Sequence, residues 1–258
     1  MPSHGSARLR RRSRRVPPIT VGALLLGVFV AVRLEATGRP PASNAPTRVA
    51  AAVTPTASAS IYPTLPGIGA RLGSRVPARS SQAVIAYGDG VRQYTTTVDL
   101  LQKVPAGWEL EGSWPGHNGF DGWTAHKRSG DLKSPVGVFS LTDAGGSLPE
   151  PPGTRLRYQR SPRYVNNGKG FLGEPLLDTF DYVIAINYNH KPGTSPLSTD
   201  YPLGARAGTG IWLHVDHGGP THACVSLPEE GMETLLEKLN PADVPVIIMG
   251  DRGDLAAD

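Results

Sequence analysis

Past position 80, apolar residues fall into short continuous or alternating runs at residues 83–87, 93–98, 136–141, 182–187, 210–215 and 244–249. Runs of this length, rich in Val, Ile and aromatics, predict β-strands. Glycine and proline separate them at Gly88-Asp89-Gly90, Ala144-Gly145-Gly146, Pro151-Pro152-Gly153 and Gly218-Gly219-Pro220, where turns are expected.

Only one stretch carries a helical signature. Ser226-Leu227-Pro228-Glu229 offers a capping box with proline early in the first turn, and Met232, Leu235, Leu236 and Leu239 then share one face up to Pro241. With no internal repeat, the pattern predicts a single mainly β domain, α+β at the margin, over 81–251, with one short C-terminal helix and a tail at 252–258.

Upstream the texture differs. Six of the first fifteen residues are arginine, and an uncharged, mostly apolar run follows from Ile19 to Val32. Fourteen residues reach roughly 21 Å as a helix, short of the roughly 30 Å hydrocarbon core, so residues 1–33 fit the n-region and h-region of an export signal. A cleaved signal peptide and an uncleaved membrane anchor both stay open, because no A-x-A site follows directly. Ser13-Arg14-Arg15 hints at a twin-arginine signal, though Pro17 and Pro18 replace the apolar residues expected next. From Ala36 to Ser60, 20 of 25 residues are Pro, Ala, Ser, Thr or Gly, which predicts a disordered linker running over 34–80.

The formal charge of +4 would suggest a nucleic-acid partner if it lay on the folded domain. Residues 1–33 hold seven of the 26 basic residues and no acidic one, which leaves 19 against 22, or −3, for the remainder. No nucleic-acid partner is therefore expected.

A single cysteine outside the cytoplasm has no intramolecular disulfide partner, so Cys224 calls for another reason. Three of the seven histidines stand within ten residues of it, in Leu213-His214-Val215-Asp216-His217-Gly218-Gly219-Pro220-Thr221-His222-Ala223-Cys224. Along the strand ending near Val215, His214 and Asp216 share the face opposite Leu213 and Val215. A reversal at Gly218-Gly219-Pro220 would bring Cys224 alongside His214, within hydrogen-bond reach. The attacking species is the thiolate, scarce at neutral pH for a free thiol, and an imidazole supplies it. A helix starting after Ser226 would favour the same charge through its dipole, and backbone N–H groups at Ala223 and Cys224 would form an oxyanion hole. Chemistry alone nominates Asp216 to orient His214. The same His217, His222, His214 and Cys224 admit a zinc reading, but no Cys-x-x-Cys or His-Glu-x-x-His pairing supports it. Lone Gly-x-Gly patterns at 88–90 and 208–210 read as turns, so neither metal nor cofactor is expected.

Thr221-His222-Ala223-Cys224-Val225 resembles the Ser/Thr-His-Gly-Cys signature of the L,D-transpeptidase (YkuD-type) catalytic domain. Gly210-Ile211-Trp212-Leu213-His214 resembles that family's upstream histidine strand, and Lys133-Ser134-Pro135-Val136-Gly137-Val138-Phe139 its Thr-Pro-x-Gly-x-Phe segment. The resemblance covers roughly 82–250. It implies a β-sandwich domain and a cysteine acyltransferase of the cell envelope, exported or anchored, that acts on peptidoglycan stem peptides in the cell wall. Cys224 would be the nucleophile, His214 the base, the Val215 carbonyl the group orienting that ring, and His222 a shaping residue beside the nucleophile. Use of water instead of an amine would make the chain an L,D-carboxypeptidase, and loss of catalysis a wall-binding module. Three positions depart from the pattern: Ala223 stands for glycine, Ser226 for Arg or Asn, and only ten residues separate His214 from Cys224.

Overall fold

A computed structural model describes residues 60–258; the signal or anchor expected at 1–33 and the linker up to 59 lie outside the described residues. In chain order the elements are β1 (Ile61–Tyr62), α1 (Ala70–Gly73), β2 (Gln82–Gly88), β3 (Thr95–Val104), β4 (Gly107–His117), β5 (Trp123–Thr124), β6 (Ser134–Pro135), β7 (Gly137–Gly146), β8 (Arg157–Arg160), β9 (Val183–Ile186), β10 (Trp212–Val215), β11 (Val225–Leu227), α2 (Glu229–Lys238), β12 (Val246–Asp251) and α3 (Arg252–Ala256). The domain is mainly β, as the apolar runs predict.

Eight strands hydrogen-bond in the order β4-β11-β10-β9-β7-β12-β2-β3, and β3 pairs with β4, so the circuit closes on itself. Closure leaves no long unpaired edge. The two layers expected of a sandwich are thus continuous through β3 and β4. Alternation then decides what lies inside. Val84, Val98, Ile247, Ile184, Leu213 and Val225 meet in one buried cluster, which α2 completes with Met232, Leu235 and Leu236. Each such side chain contributes about 1.5–3 kcal/mol through burial.

Ala83, Ile85 and Ile248, on the opposite faces of β2 and β12, form a second cluster with Leu72 of α1, Trp108 and Leu255 of α3. This corrects the sequence expectation at both ends. Residues 60–80 are not linker, because β1 pairs with β4 and Leu72 is fully buried. Residues 252–256 are not tail, because Leu255 is equally buried.

Two further corrections concern the region that carries the cysteine. Ser226 is no helix cap: it lies within β11, and α2 begins at Glu229 with no side-chain cap. The helix dipole therefore does not act on Cys224. The chain also does not simply reverse after β10. It crosses back through residues 216–224, so that β11 runs parallel to β10 with His214 opposite Ser226. Gly218, at φ 79°, takes the left-handed conformation this path needs.

Candidate active site

Parallel pairing of β10 and β11 puts Trp212, His214 and Asp216 on the same outer side as Cys224 and Ser226, while Leu213, Val215, Val225 and Leu227 enter the core. Segment 164–180 lies over this side. Phe180 stands edge-on to both Trp212 and His214, with ring centroids 5.2 and 5.3 Å away. The result is a cleft of about 190 Å³ whose lining includes Cys224, His214, His217, His222, Phe171 and Trp212. A larger hollow of about 460 Å³, between residues 63–80 and Trp108, holds no histidine, cysteine or carboxylate among its lining residues. The chemistry therefore belongs to the smaller cleft.

His214 is buried, and its Nδ1 lies 2.8 Å from the carbonyl oxygen of Val215. A carbonyl only accepts, so Nδ1 carries the proton and Nε2 keeps the lone pair a base requires. Burial pushes the His214 pKa down to about 4 against the Val215 bond, which acts the other way. The ring is therefore neutral at physiological pH.

Asp216 does not orient this ring, which corrects the reading from chemistry alone. Its Oδ1 accepts from His117 Nδ1 at 2.7 Å and from Ser226 Oγ at 2.5 Å, and its Oδ2 from the Gly218 N–H at 3.0 Å. Burial raises its pKa, but these bonds, led by His117 and Ser226, outweigh it and hold the carboxyl at about 2. Asp216 anchors the crossover loop to β4 and β11.

Cys224 is half-buried at the cleft. Its sulfur accepts from the Trp212 N–H at 3.4 Å and its thiol points to the Gly210 carbonyl at 3.5 Å. The expected hydrogen bond to His214 is not formed, although both side chains line one cleft. Burial pushes the thiol up to about 11, against the Trp212 N–H and the Lys127 charge. Cysteine and histidine thus rest as a neutral pair, not as thiolate and imidazolium.

Cys224 is braced from behind by residues that sequence reasoning left without a role. Ser134 Oγ meets the carbonyls of Ala223 and Cys224 at 2.8 and 3.2 Å, and Thr221 Oγ1 donates to the Cys224 carbonyl at 2.8 Å. Both carbonyls are drawn inward, and the N–H groups of Ala223 and Cys224 have no hydrogen-bond partner among the described residues. Ser134 lay within the block 133–139, so its place in that motif was the available signal. Ala223 carries no strain, since Leu132 and Val244 are the positive-φ non-glycine residues among those described.

His222 is exposed and packs on Phe171, centroids 4.7 Å apart, at the mouth of the cleft. His217, read from sequence only as a zinc ligand, stacks on His214 at 5.9 Å with rings 7° from parallel and bonds Glu174 Oε1 through Nδ1 at 3.0 Å. No set of three His, Cys, Asp or Glu side chains converges as metal ligands among the described residues. Of the four tryptophans, Trp212 lines the cleft while Trp108 and Trp123 are core.

Compared with known families, residues 84–248 match the model of the YkuD family, described as the L,D-transpeptidase catalytic domain. No curated protein matches the chain.

Proposed function

Because the chain belongs to the YkuD family of L,D-transpeptidase catalytic domains, we propose that it is a cysteine acyltransferase that cross-links peptidoglycan stem peptides through a thioester on Cys224. The observation that carries this reading is the pairing in one cleft of the chain's only thiol with an imidazole whose Nδ1 is fixed by the Val215 carbonyl.

On substrate binding, His214 Nε2 takes the thiol proton while the sulfur attacks the carbonyl of the third stem-peptide residue. Negative charge collects on the carbonyl oxygen, and the unpartnered N–H groups of Ala223 and Cys224 are placed to receive it. Collapse breaks the amide bond, the leaving D-alanine amine takes the proton from His214, and the thioester remains. An amine of a second stem then displaces the sulfur.

The basic n-region and apolar run at 1–33 support work on the outer face of the cytoplasmic membrane, as a cleaved or an anchored protein. Incubation of the purified protein with a disaccharide-tetrapeptide, followed by weighing of the products, tests the reading. Cross-linked dimers support transfer, tripeptides alone mean that water is the acceptor, and an unchanged substrate with a protein that still pellets with sacculi means a binding module.

A further inference from the structure

The second half of that reaction poses a proton problem that one imidazole does not solve. The acceptor arrives as an ammonium ion at neutral pH and ends as an amide N–H, so its nitrogen loses two protons. One returns to the departing sulfur through His214. The other needs a second base in the same cleft.

His217 has the geometry of one. Its ring lies parallel to His214, 5.9 Å away, and lines the same cleft. Nδ1 is held by Glu174 Oε1 at 3.0 Å, and among the described residues Nε2 has no hydrogen-bond partner. Glu174 is itself fixed, with Oε2 accepting from the Leu172 N–H at 2.8 Å. A Cβ on Gly219 would meet Glu174 Oε1 at 2.3 Å and one on Gly170 would meet it at 1.9 Å, so the carboxylate packs closely against the backbone of both glycines. The two histidines differ in the group that holds them. A neutral carbonyl orients His214, which suits a base for a thiol. A carboxylate orients His217 and brings a negative charge toward which a cationic amine is drawn.

We propose that His217, held by Glu174, is a second catalytic base that deprotonates a primary ammonium acceptor before it attacks the Cys224 thioester; this rests on the acyl-transfer reading above. His217 Nε2 takes a proton from the ammonium, and the freed amine attacks the thioester carbon. The adduct nitrogen gives its second proton to His214, the carbon–sulfur bond breaks, and the thiolate recovers that proton. His217 returns its own to solvent. Glu174 is a positioning residue that acts through His217.

The test follows the thioester by intact mass after acid quench, with disaccharide-tetrapeptide as donor and acceptor. In H217Q most of the protein should stand as thioester during turnover, where the wild type shows little, and dimer formation should fall about hundredfold, as expected for loss of a general base. Raising the pH toward the pKa of the acceptor amine, about 10.4 for a lysine-like group, should restore the rate, because the amine then arrives neutral. Of the groups around His217, His214 (about 4) and Glu174 (held low by its bonds to Leu172 and His217) keep their charge state over this range, and Cys224, at about 11 in the same cleft, is already acylated in the step followed. E174Q should accumulate thioester too, with kcat lowered, kcat/KM for the donor unchanged, and the same rescue by pH. Slower dimer formation without accumulated thioester, or resolution at the wild-type rate in H217Q, would overturn the proposal. A wild type that forms no thioester at all would instead sink the acyl-transfer reading itself.

Discussion

The proton on His214 Nδ1 goes to the carbonyl oxygen of Val215, 2.8 Å away, and not to the Asp216 carboxylate two residues along. A backbone carbonyl fixes the tautomer and the ring plane without supplying charge, so the buried imidazole stays neutral. The Cys224–His214 pair therefore differs from a triad in which an anion steadies an imidazolium.

Its separation from Asp216 sets a first expectation. D216N would remove the charge from bonds to His117 and Ser226 and should destabilise the fold by about 2–3 kcal/mol, seen as a lower melting temperature. Thioester formation should slow less than tenfold. A loss near 10⁴-fold, the effect expected when a carboxylate holds the catalytic ring, would contradict the assignment.

Reactivity of the resting thiol gives a second. With the thiol at about 11 and His214 at about 4, alkylation of Cys224 by iodoacetamide in the absence of substrate should rise about tenfold per pH unit from 7 to 10. A rate already level at neutral pH would reveal a preformed thiolate–imidazolium pair.

Stability should follow the same two groups. The unfolded chain takes up a proton at His214 near pH 6.5 that the folded chain refuses until about 4, so stability falls as pH drops through that window, by on the order of 3 kcal/mol. On the alkaline side the unfolded thiol loses its proton first, near pH 9, and stability falls again up to about 11. Urea melts across pH should show H214Q flattening the acid limb and C224A the alkaline one.

Ser134 lies behind Cys224, fully buried, with its hydroxyl on the carbonyls of Ala223 and Cys224. S134A should cost about 1–3 kcal/mol by leaving the Ala223 carbonyl without its donor and the Gly119 N–H without its acceptor and should slow acylation several-fold, measured by adduct mass against time. Unchanged stability would remove it from this role.

At the mouth, His222 touches Phe171 and no reacting group. H222A should therefore slow acylation less than tenfold in a stopped assay with the tetrapeptide. A variant as inactive as one lacking His214 would place His222 in the chemistry itself.

Much of this was legible in the sequence because period-two apolar runs record which face of a strand is buried. The strands at 83–87, 136–141 and 244–249 emerge as β2, β7 and β12 with small shifts of boundary. β4 was not legible, since Gly112, Pro115 and Gly116 interrupt the alternation of Trp108, Leu110 and Trp114, and its pairing with β3 is a long-range choice. Ser226 misled for a physical reason: a serine three residues before a glutamate matches a capping box whether its hydroxyl meets an N–H or, as here, a carboxylate. Within the site, the Thr-His-Ala-Cys run pointed to Cys224, which lines the cleft. Phe171 and Phe180, which reach the cleft, and Glu174, which reaches His217, stayed hidden because they come from a segment with no periodic pattern, and only the fold brings them there.

The central claim is that His214 draws the proton from Cys224 as the acyl bond forms, and acylation kinetics test it most directly. Intact mass after rapid mixing with disaccharide-tetrapeptide should show a thioester on Cys224 in the wild type, none in C224A, and formation slowed by about 10²–10⁴-fold in H214A. Formation in H214A at the wild-type rate, or an adduct in C224A, would contradict it.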